Sequence, residues 1–482
     1  MRKRFVNLRR PAGGSSSEPS ELVVDEGKVV IAPAAGALTV GAEEQWVSLD
    51  GALVLPGVID GHVHFDDPGF THREDFASGT AAAAAGGVTC VADMPCTSLP
   101  PVTSVTNLRS KLRVIQGKAH VDFMLWGGVS GNSIATPGWR QTLADLVAEG
   151  VAAIKVYTLS GMDTFRELGA HQLRDVFLEA AELGIPVGVH AEDATMVRRL
   201  TAELQGSGRN QPLDYAASRP ATAELAAAAA VVELCRSTGA QVHVVHLASG
   251  QALDLLVEAR AQGVRISAET CPHFLEFTQE DLARLGSLLK TAPVVKTEAD
   301  RTRLWMGLAE GDLAFVTTDH APGQWPEEKH TGSIWTDYGG VPGVELLLPY
   351  LYSEGVCSGR ITLEQLVELT SAAPARFFGV DGRKGGLEPG CDADFVVLDE
   401  NETWTVRPDK LHALNRYTPL EGKTLTGRVR AVYLRGRCVY RREPDGSEML
   451  APAGTGELVR RRRTQPFPVE LPWCRGPHHR PR

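Results

Sequence analysis

The sequence predicts a (β/α)8 TIM barrel joined to a small β-sandwich domain formed by both chain ends. Three observations predict it. Short apolar runs at 53–59, 88–94, 121–126, 151–157, 185–190, 242–247, 264–269 and 314–319 alternate with Ala- and Leu-rich helical stretches, which makes eight units. The two ends of the chain read instead as β-branched and aromatic strands between Gly turns. The competing arrangement, an open doubly wound sheet, lacks the Gly-x-Gly-x-x-Gly phosphate loop that would support it.

Residues 1–55 supply the first part of the sandwich. After a flexible Gly/Ser/Pro loop at 11–20, Leu22-Val23-Val24, Asp25-Glu26-Gly27 and Val29-Val30-Ile31 spell a hairpin closed by a Gly turn. Residues 56–375 form the barrel, with helices at 79–86, 171–183, 222–238 and 250–261 among its units. The Ala runs 81–85 and 226–230 read as tightly packed helix faces rather than chemistry. Thr362-Leu-Glu-Gln365 is a capping box opening a helix expected to end before Pro374. Residues 376–450 complete the sandwich through Ala393–Leu398 and Val429–Tyr440, the latter turning at Arg435-Gly436. The stretch 451–482 holds Arg460-Arg-Arg-Arg463 and several prolines without periodicity, and is expected to be a disordered, solvated tail.

Composition excludes some functions. A net charge of −10 argues against nucleic-acid binding by the whole chain, which would rest on the Arg460–Arg463 run alone. No apolar stretch approaches the roughly 20 residues of a membrane span. The basic start, Met1-Arg-Lys-Arg-Phe5, lacks the apolar core of a signal peptide. Eight cysteines are scattered without a Cys-x-x-Cys pair, the usage expected of a reduced, cytoplasmic protein.

Barrel enzymes carry their chemistry at the carboxyl ends of the strands. The first run ends on His62-Val-His64, and alternation along a strand turns both imidazoles to one face, where they can share a metal. Lys155 stands inside the fourth apolar run, and burying a free ammonium without a partner is costly. His190 closes the fifth run, His246 the sixth and Asp319 the eighth. Each alone has an ordinary structural explanation; their joint placement at five strand ends points to a metal centre. His243, two residues from the sixth run's Val245 and three before His246, is expected to face away or to support the site from behind.

This set resembles the amidohydrolase superfamily, and within it the cyclic amidases: dihydroorotases, allantoinases and hydantoinases. The resemblance runs from about residue 22 to 440. It rests on Asp60-Gly-His-Val-His64, Phe76-Ala-Ser-Gly-Thr80 with Ala85-Gly-Gly-Val-Thr89, Asp93-Met-Pro95, Glu269-Thr-Cys-Pro-His273, Thr318-Asp-His-Ala-Pro322 and Gly385-Gly-Leu-Glu-Pro-Gly390. It implies two divalent ions, zinc by preference. His62, His64 and Asp319 would hold one, His190 and His246 the other, and Lys155 would bridge them as a carboxylated lysine. Asp319 would then carry the proton from the bridging water to the leaving nitrogen. It also implies a homo-oligomer, dimer or tetramer, acting on a small cyclic ureide without nucleic acid or membrane. A metal-poor scaffold would be expected to have lost candidate ligands, and all six positions are filled.

The substrate contacts narrow the choice of ring. Where dihydroorotases hold a carboxylate with an arginine and other anchors, this chain has Asp66, Cys96, Ala292 and Gly323. An acid at 66 repels an anionic ring. His62-Val-His-Phe-Asp-Asp-Pro-Gly69 and Met94-Pro-Cys-Thr-Ser-Leu-Pro-Pro-Val-Thr103 resemble allantoinases more closely, with departures at Phe70, Arg73 and Cys96. Hydantoinases usually carry a tyrosine where this chain has Ser160. Asp66, Cys96 and Ser160 are therefore the expected substrate contacts, and allantoin the favoured ring, with dihydroorotase or hydantoinase activity as alternatives.

Overall fold

The structure, a computed structural model, describes residues 2–11, 20–31 and 44–462. Most of the expected loop at 11–20 and the part of the tail from 463 onward lie outside them.

Eight parallel strands line the barrel: Val58–Val63, Val88–Asp93, Asp122–Leu125 continued by Gly127–Gly128, Ile154–Tyr157, Val187–His190, Val242–Val244, Ile266–Thr270 and Phe315–Val316. Every residue of the first, second and fifth is buried, which is why the sequence shows continuous apolar runs rather than alternation. The ring closes where Val63 bridges His320 and the His64 amide donates to the His320 carbonyl at 2.8 Å. At the break in the third strand Trp126 is fully buried and its indole N–H donates to the Gly61 carbonyl at 3.0 Å. Gly188 faces that ring; a Cβ there would come within 2.7 Å of it.

The helices follow the expected capping chemistry. Phe76–Ala85 opens on Asp75, and its alanines 81–85 are buried. Ala170–Leu183 and Ala221–Thr238 both stop at a left-handed glycine, Gly184 and Gly239. Thr362 caps the last helical stretch as the sequence predicts. That stretch does not end before Pro374, however. A widened, π-type turn over Glu368–Ala372 leads into Ala373–Phe377, so the proline falls in the first turn of a new segment, where no N–H is needed.

The second layer is one eight-stranded sheet drawn from both chain ends. Its order is Glu448–Leu450, Arg437–Arg442, Thr424–Leu434, Phe395–Thr405, Glu44–Pro56, Arg2–Arg9, Ser20–Asp25 and Lys28–Ile31. Phe5, Phe395 and Tyr433 form its aromatic centre, with ring centroids 4.5–5.1 Å apart. The long strand Glu44–Pro56 hands the chain directly to the first barrel strand.

Residues 451–462 correct the expected tail. The Phe123 amide donates to Glu457, and the Val459 amide donates to Phe123 at 2.7 Å, with Val459 buried. The interruption at Trp126 leaves that backbone edge open, and this segment fills it. Arg460 and Arg461 are held as well, donating to the carbonyls of Glu149 and Phe377.

Candidate metal centre

All six expected ligands gather at the carboxyl ends of the strands. His62 and His64 leave the first strand on one face, with ring centroids 5.4 Å apart. Asp60 anchors that strand end to the eighth, its carboxylate accepting from the Thr318 amide at 3.1 Å and from the His62 amide at 3.3 Å. Asp319 follows, with Oδ1 at 3.2 Å from His62 Nε2 and 3.1 Å from His64 Nε2. Across the ring, His190 Nδ1 meets His246 Nε2 at 3.1 Å, and the His62 and His246 rings lie 5.3 Å apart. Lys155 is fully buried among these groups, its Nζ 5.0 Å from the Tyr157 ring centre.

Three features fit this cluster to a cation. The ligand atoms of His62, His64 and Asp319 all lie within 4.8 Å of one another. His62 Nε2, His246 Nδ1 and Lys155 Nζ are buried without a hydrogen-bond partner, although such groups are nearly always satisfied. His246 and Asp319 hold φ of 42° and 48°, a left-handed conformation that costs a non-glycine residue about 1–3 kcal/mol and collects at functional sites.

The surroundings aim the imidazoles and hold His62, His190 and His246 neutral, whereas His64 is raised to about 10, burial being outweighed by Cys96 and Asp319. Burial, with Lys155 adding to it, pushes His62 and His246 well below the usual histidine range. Neutral imidazole is the form that ligates a metal. His62 Nδ1 contacts Glu269 Oε1 at 2.6 Å, leaving Nε2 toward the cluster. His190 Nε2 contacts Glu192 Oε2 at 2.9 Å, and Arg219 pairs with the same carboxylate. His243 stands behind the site as expected, contacting Ser267 at 2.8 Å and Glu269 at 3.2 Å. Burial lowers Lys155 to about 8, so roughly a tenth of it is a neutral amine at about pH 7, far more than for an ordinary lysine.

The expected substrate contacts divide. Asp66 is fully buried, neither oxygen has a hydrogen-bond partner of good geometry, and burial raises its carboxyl to about 7. Cys96 Sγ lies 3.8 Å from His64 Nδ1 and 3.1 Å from the Tyr157 hydroxyl. Ser160 is turned into its own loop: its hydroxyl donates to Phe165 and accepts from Met162. Arg73 is committed elsewhere, gripping Glu328 through Nε and Nη2 between the rings of Phe70 and Tyr338.

Sequence reasoning passed over Tyr157 and Glu192, each two residues beyond an expected ligand, Tyr157 on the same face of its strand and Glu192 just past the end of the strand that closes on His190. Tyr157 stacks on His190, ring centres 5.1 Å apart. Arg219 gave no signal, because only the folded path brings it to Glu192.

A parallel barrel with converging histidines, a buried lysine and an acid at its strand ends defines a barrel protein with the donor set of a metal centre. The chain belongs to the Amidohydrolase family, whose profile matches residues 53–439. It is 40% identical to an allantoinase of Rubrobacter xylanophilus over 86% of this chain and 89% of that one. An allantoinase of Streptomyces avermitilis is also 40% identical, over 87% and 91%. Among solved structures, the L-hydantoinase (dihydropyrimidinase) of Arthrobacter aurescens superposes with a TM-score of 0.88 at 29% identity, covering 95% and 99%. The dihydropyrimidinase of Brevibacillus agri gives 0.88 at 30%, covering 97% and 100%.

Proposed function

We propose that this protein is a metal-dependent cyclic amidohydrolase that opens allantoin to allantoate. The observation that carries the reading is the complete set of six converging donors in a chain 40% identical to an allantoinase over most of its length. His62, His64 and Asp319 would hold one divalent ion, His190 and His246 a second, and Lys155 would join them after its neutral amine adds carbon dioxide and releases a proton. Imidazole and carboxylate donors suit zinc. Bound there, two such ions supply a water acidified for attack and a polarised carbonyl.

The chain's own residues do the rest. Asp319 keeps 14% of its side chain exposed beside the buried histidines, so it touches both the centre and the space a substrate would enter. It takes the proton of the attacking water and returns it to the ring nitrogen that leaves. Glu269 and Glu192 hold His62 and His190 in the ligating tautomer. Asp66 accepts from ureido N–H groups and repels a ring carboxylate. The reaction belongs in the cytoplasm, on the scattered cysteines, and in a homo-oligomer, as the family resemblance implies.

A panel of allantoin, hydantoins and dihydroorotate tests the reading. Allantoin should turn over fastest, and metal analysis should find about two ions per chain. Dihydroorotate turning over far faster than the neutral rings would overturn it. Hydantoin-like rings are the second reading, favoured by the hydantoinase fold neighbours at TM-scores of 0.87–0.88.

A further inference from the structure

Strands one, four, five, six and eight end in candidate ligands, whereas the seventh, Ile266–Thr270, gives the cluster only the support of Glu269. The turn after it, however, carries His273 on the short helix Pro272–Glu276. This imidazole is 6% exposed, and its Nε2 is buried without a partner. Its ring packs on Phe274 with centroids 4.1 Å apart. Among the described residues of the cluster and its supports, unpartnered buried atoms also belong to His62, Lys155, His246, Asp66, Glu192 and Arg219. Each of those has a proposed ligand, supporting or substrate role, whereas His273 has none. Burial holds it neutral, near 4, with the charge of Asp319 close enough to oppose that shift. A neutral imidazole beside the proton-carrying acid can donate one hydrogen bond to an uncharged substrate.

Resting on the ureide reading above, we propose that His273 donates to the urea carbonyl next to the leaving ring nitrogen. In a cyclic ureide that nitrogen lies between two carbonyls. When the amide under attack breaks, negative charge spreads from the leaving nitrogen onto the oxygen of the other carbonyl. A donor at that oxygen therefore binds the transition state more strongly than the ground state and raises kcat as well as lowering KM. Asp319 protonates the nitrogen, while His273 holds the ring so that this nitrogen faces Asp319.

The test compares His273→Leu, which fills the space without a donor, with His273→Gln, which restores an N–H. Each is assayed with the ring that the wild-type protein turns over best. His273→Leu should lose about 100-fold in kcat/KM, the size expected for one such donor, mostly in kcat. Its metal content and thermal midpoint should match wild type, and His273→Gln should recover to within about tenfold of wild type. Activity of His273→Leu within about threefold of wild type would overturn the proposal. So would a matching loss of metal or thermal stability in both variants, which marks a structural histidine. Wild-type protein that opens no ureide ring overturns the functional reading itself, and the two failures are thereby told apart.

Discussion

Among the described residues, two groups bring three ligand-type side chains close enough to share a cation: His62, His64 and Asp319 at the carboxyl ends of the strands, and Asp122, Asp392 and Asp394 where the third strand begins against the sheet. The second is already neutralised. Lys384 Nζ lies 2.8 Å from Asp392 and 2.6 Å from Asp394 and also pairs with Asp122, which Arg435 grips as well. None of these three acids leaves a buried oxygen without a partner, whereas the strand-end cluster leaves His62 Nε2, His246 Nδ1 and Lys155 Nζ unmet. Proximity of ligands, and even a left-handed residue (Arg435, φ 49°, in the lock), is thus common to a structural lock and to a site; unmet donors separate the two. The lock carries its own cation in the chain, and the site must take one from solution.

The largest expected effect breaks the lock. Lys384→Met leaves three buried acids with too little positive charge and should cost about 3–5 kcal/mol of stability, measured by denaturant unfolding. Protein that still folds should bind metal as wild type does, because the two clusters share no residue. The pH dependence follows from the shifts. Lys384 is held above the usual lysine range by Asp394, Asp122 and Asp392 against the pull of burial. Its contribution is whole below the ordinary lysine pKa and is lost only as pH rises through the raised one. Asp392 is held low by Lys384 in spite of burial, so its share is whole above the ordinary carboxylate pKa and is lost as pH falls through the depressed one. Between about pH 5 and 9 these two groups should leave stability flat. A steep change inside that window in wild type but not in Lys384→Met would show that the lock titrates there.

The next effect empties the site. Lys155→Ala should lose metal affinity by at least about 100-fold, the upper end of what losing a mere supporting residue costs, and activity with it. Added short carboxylic acids should restore part of both. A variant keeping two ions per chain, measured by elemental analysis, would show that Lys155 is no bridge, while the thermal midpoint separates that from misfolding.

The contrast also explains what was legible in the sequence. Barrel strands buried on both faces are largely apolar, so seven of the eight runs fell on barrel strands. The run 53–59 fell mostly on Glu44–Pro56 of the sheet, which joins the barrel strand Val58–Val63 almost without a break. The candidate ligands were visible because each interrupts or ends an apolar run. Glu192 and Tyr157 obey the same two-residue spacing and could have been found. Arg73 with Glu328, 255 residues apart, could not, since nothing local links the two loops. The docking of 451–462 was hidden for a related reason: it depends on an edge opened by Trp126 in another element. Pro374 misled because a widened turn, which no local rule demands, resets the helix before it.

The smallest effect sharpens the comparison at Asp66, the acid that resembles those of the lock in burial yet has no lysine or arginine bonded to it. The charges of His64 and then Arg73 oppose the upward push of burial, and Arg73 is committed to Glu328. If Asp66 faces substrate N–H groups, its two oxygens gain partners only when a ring is bound, and their attraction then favours neutral ureides over anions. Asp66→Asn keeps the shape and removes the charge. It should raise KM for allantoin and lower KM for dihydroorotate, each by about tenfold or less, or about 1.4 kcal/mol. Asp66→Arg should move both in the same directions and further, provided circular dichroism shows that it folds. Because Asp66→Asn is the near-isosteric change, it decides. Equal KM changes for neutral and anionic rings would mean that Asp66 shapes the site without reading charge, and that selection against carboxylates lies elsewhere on the rim.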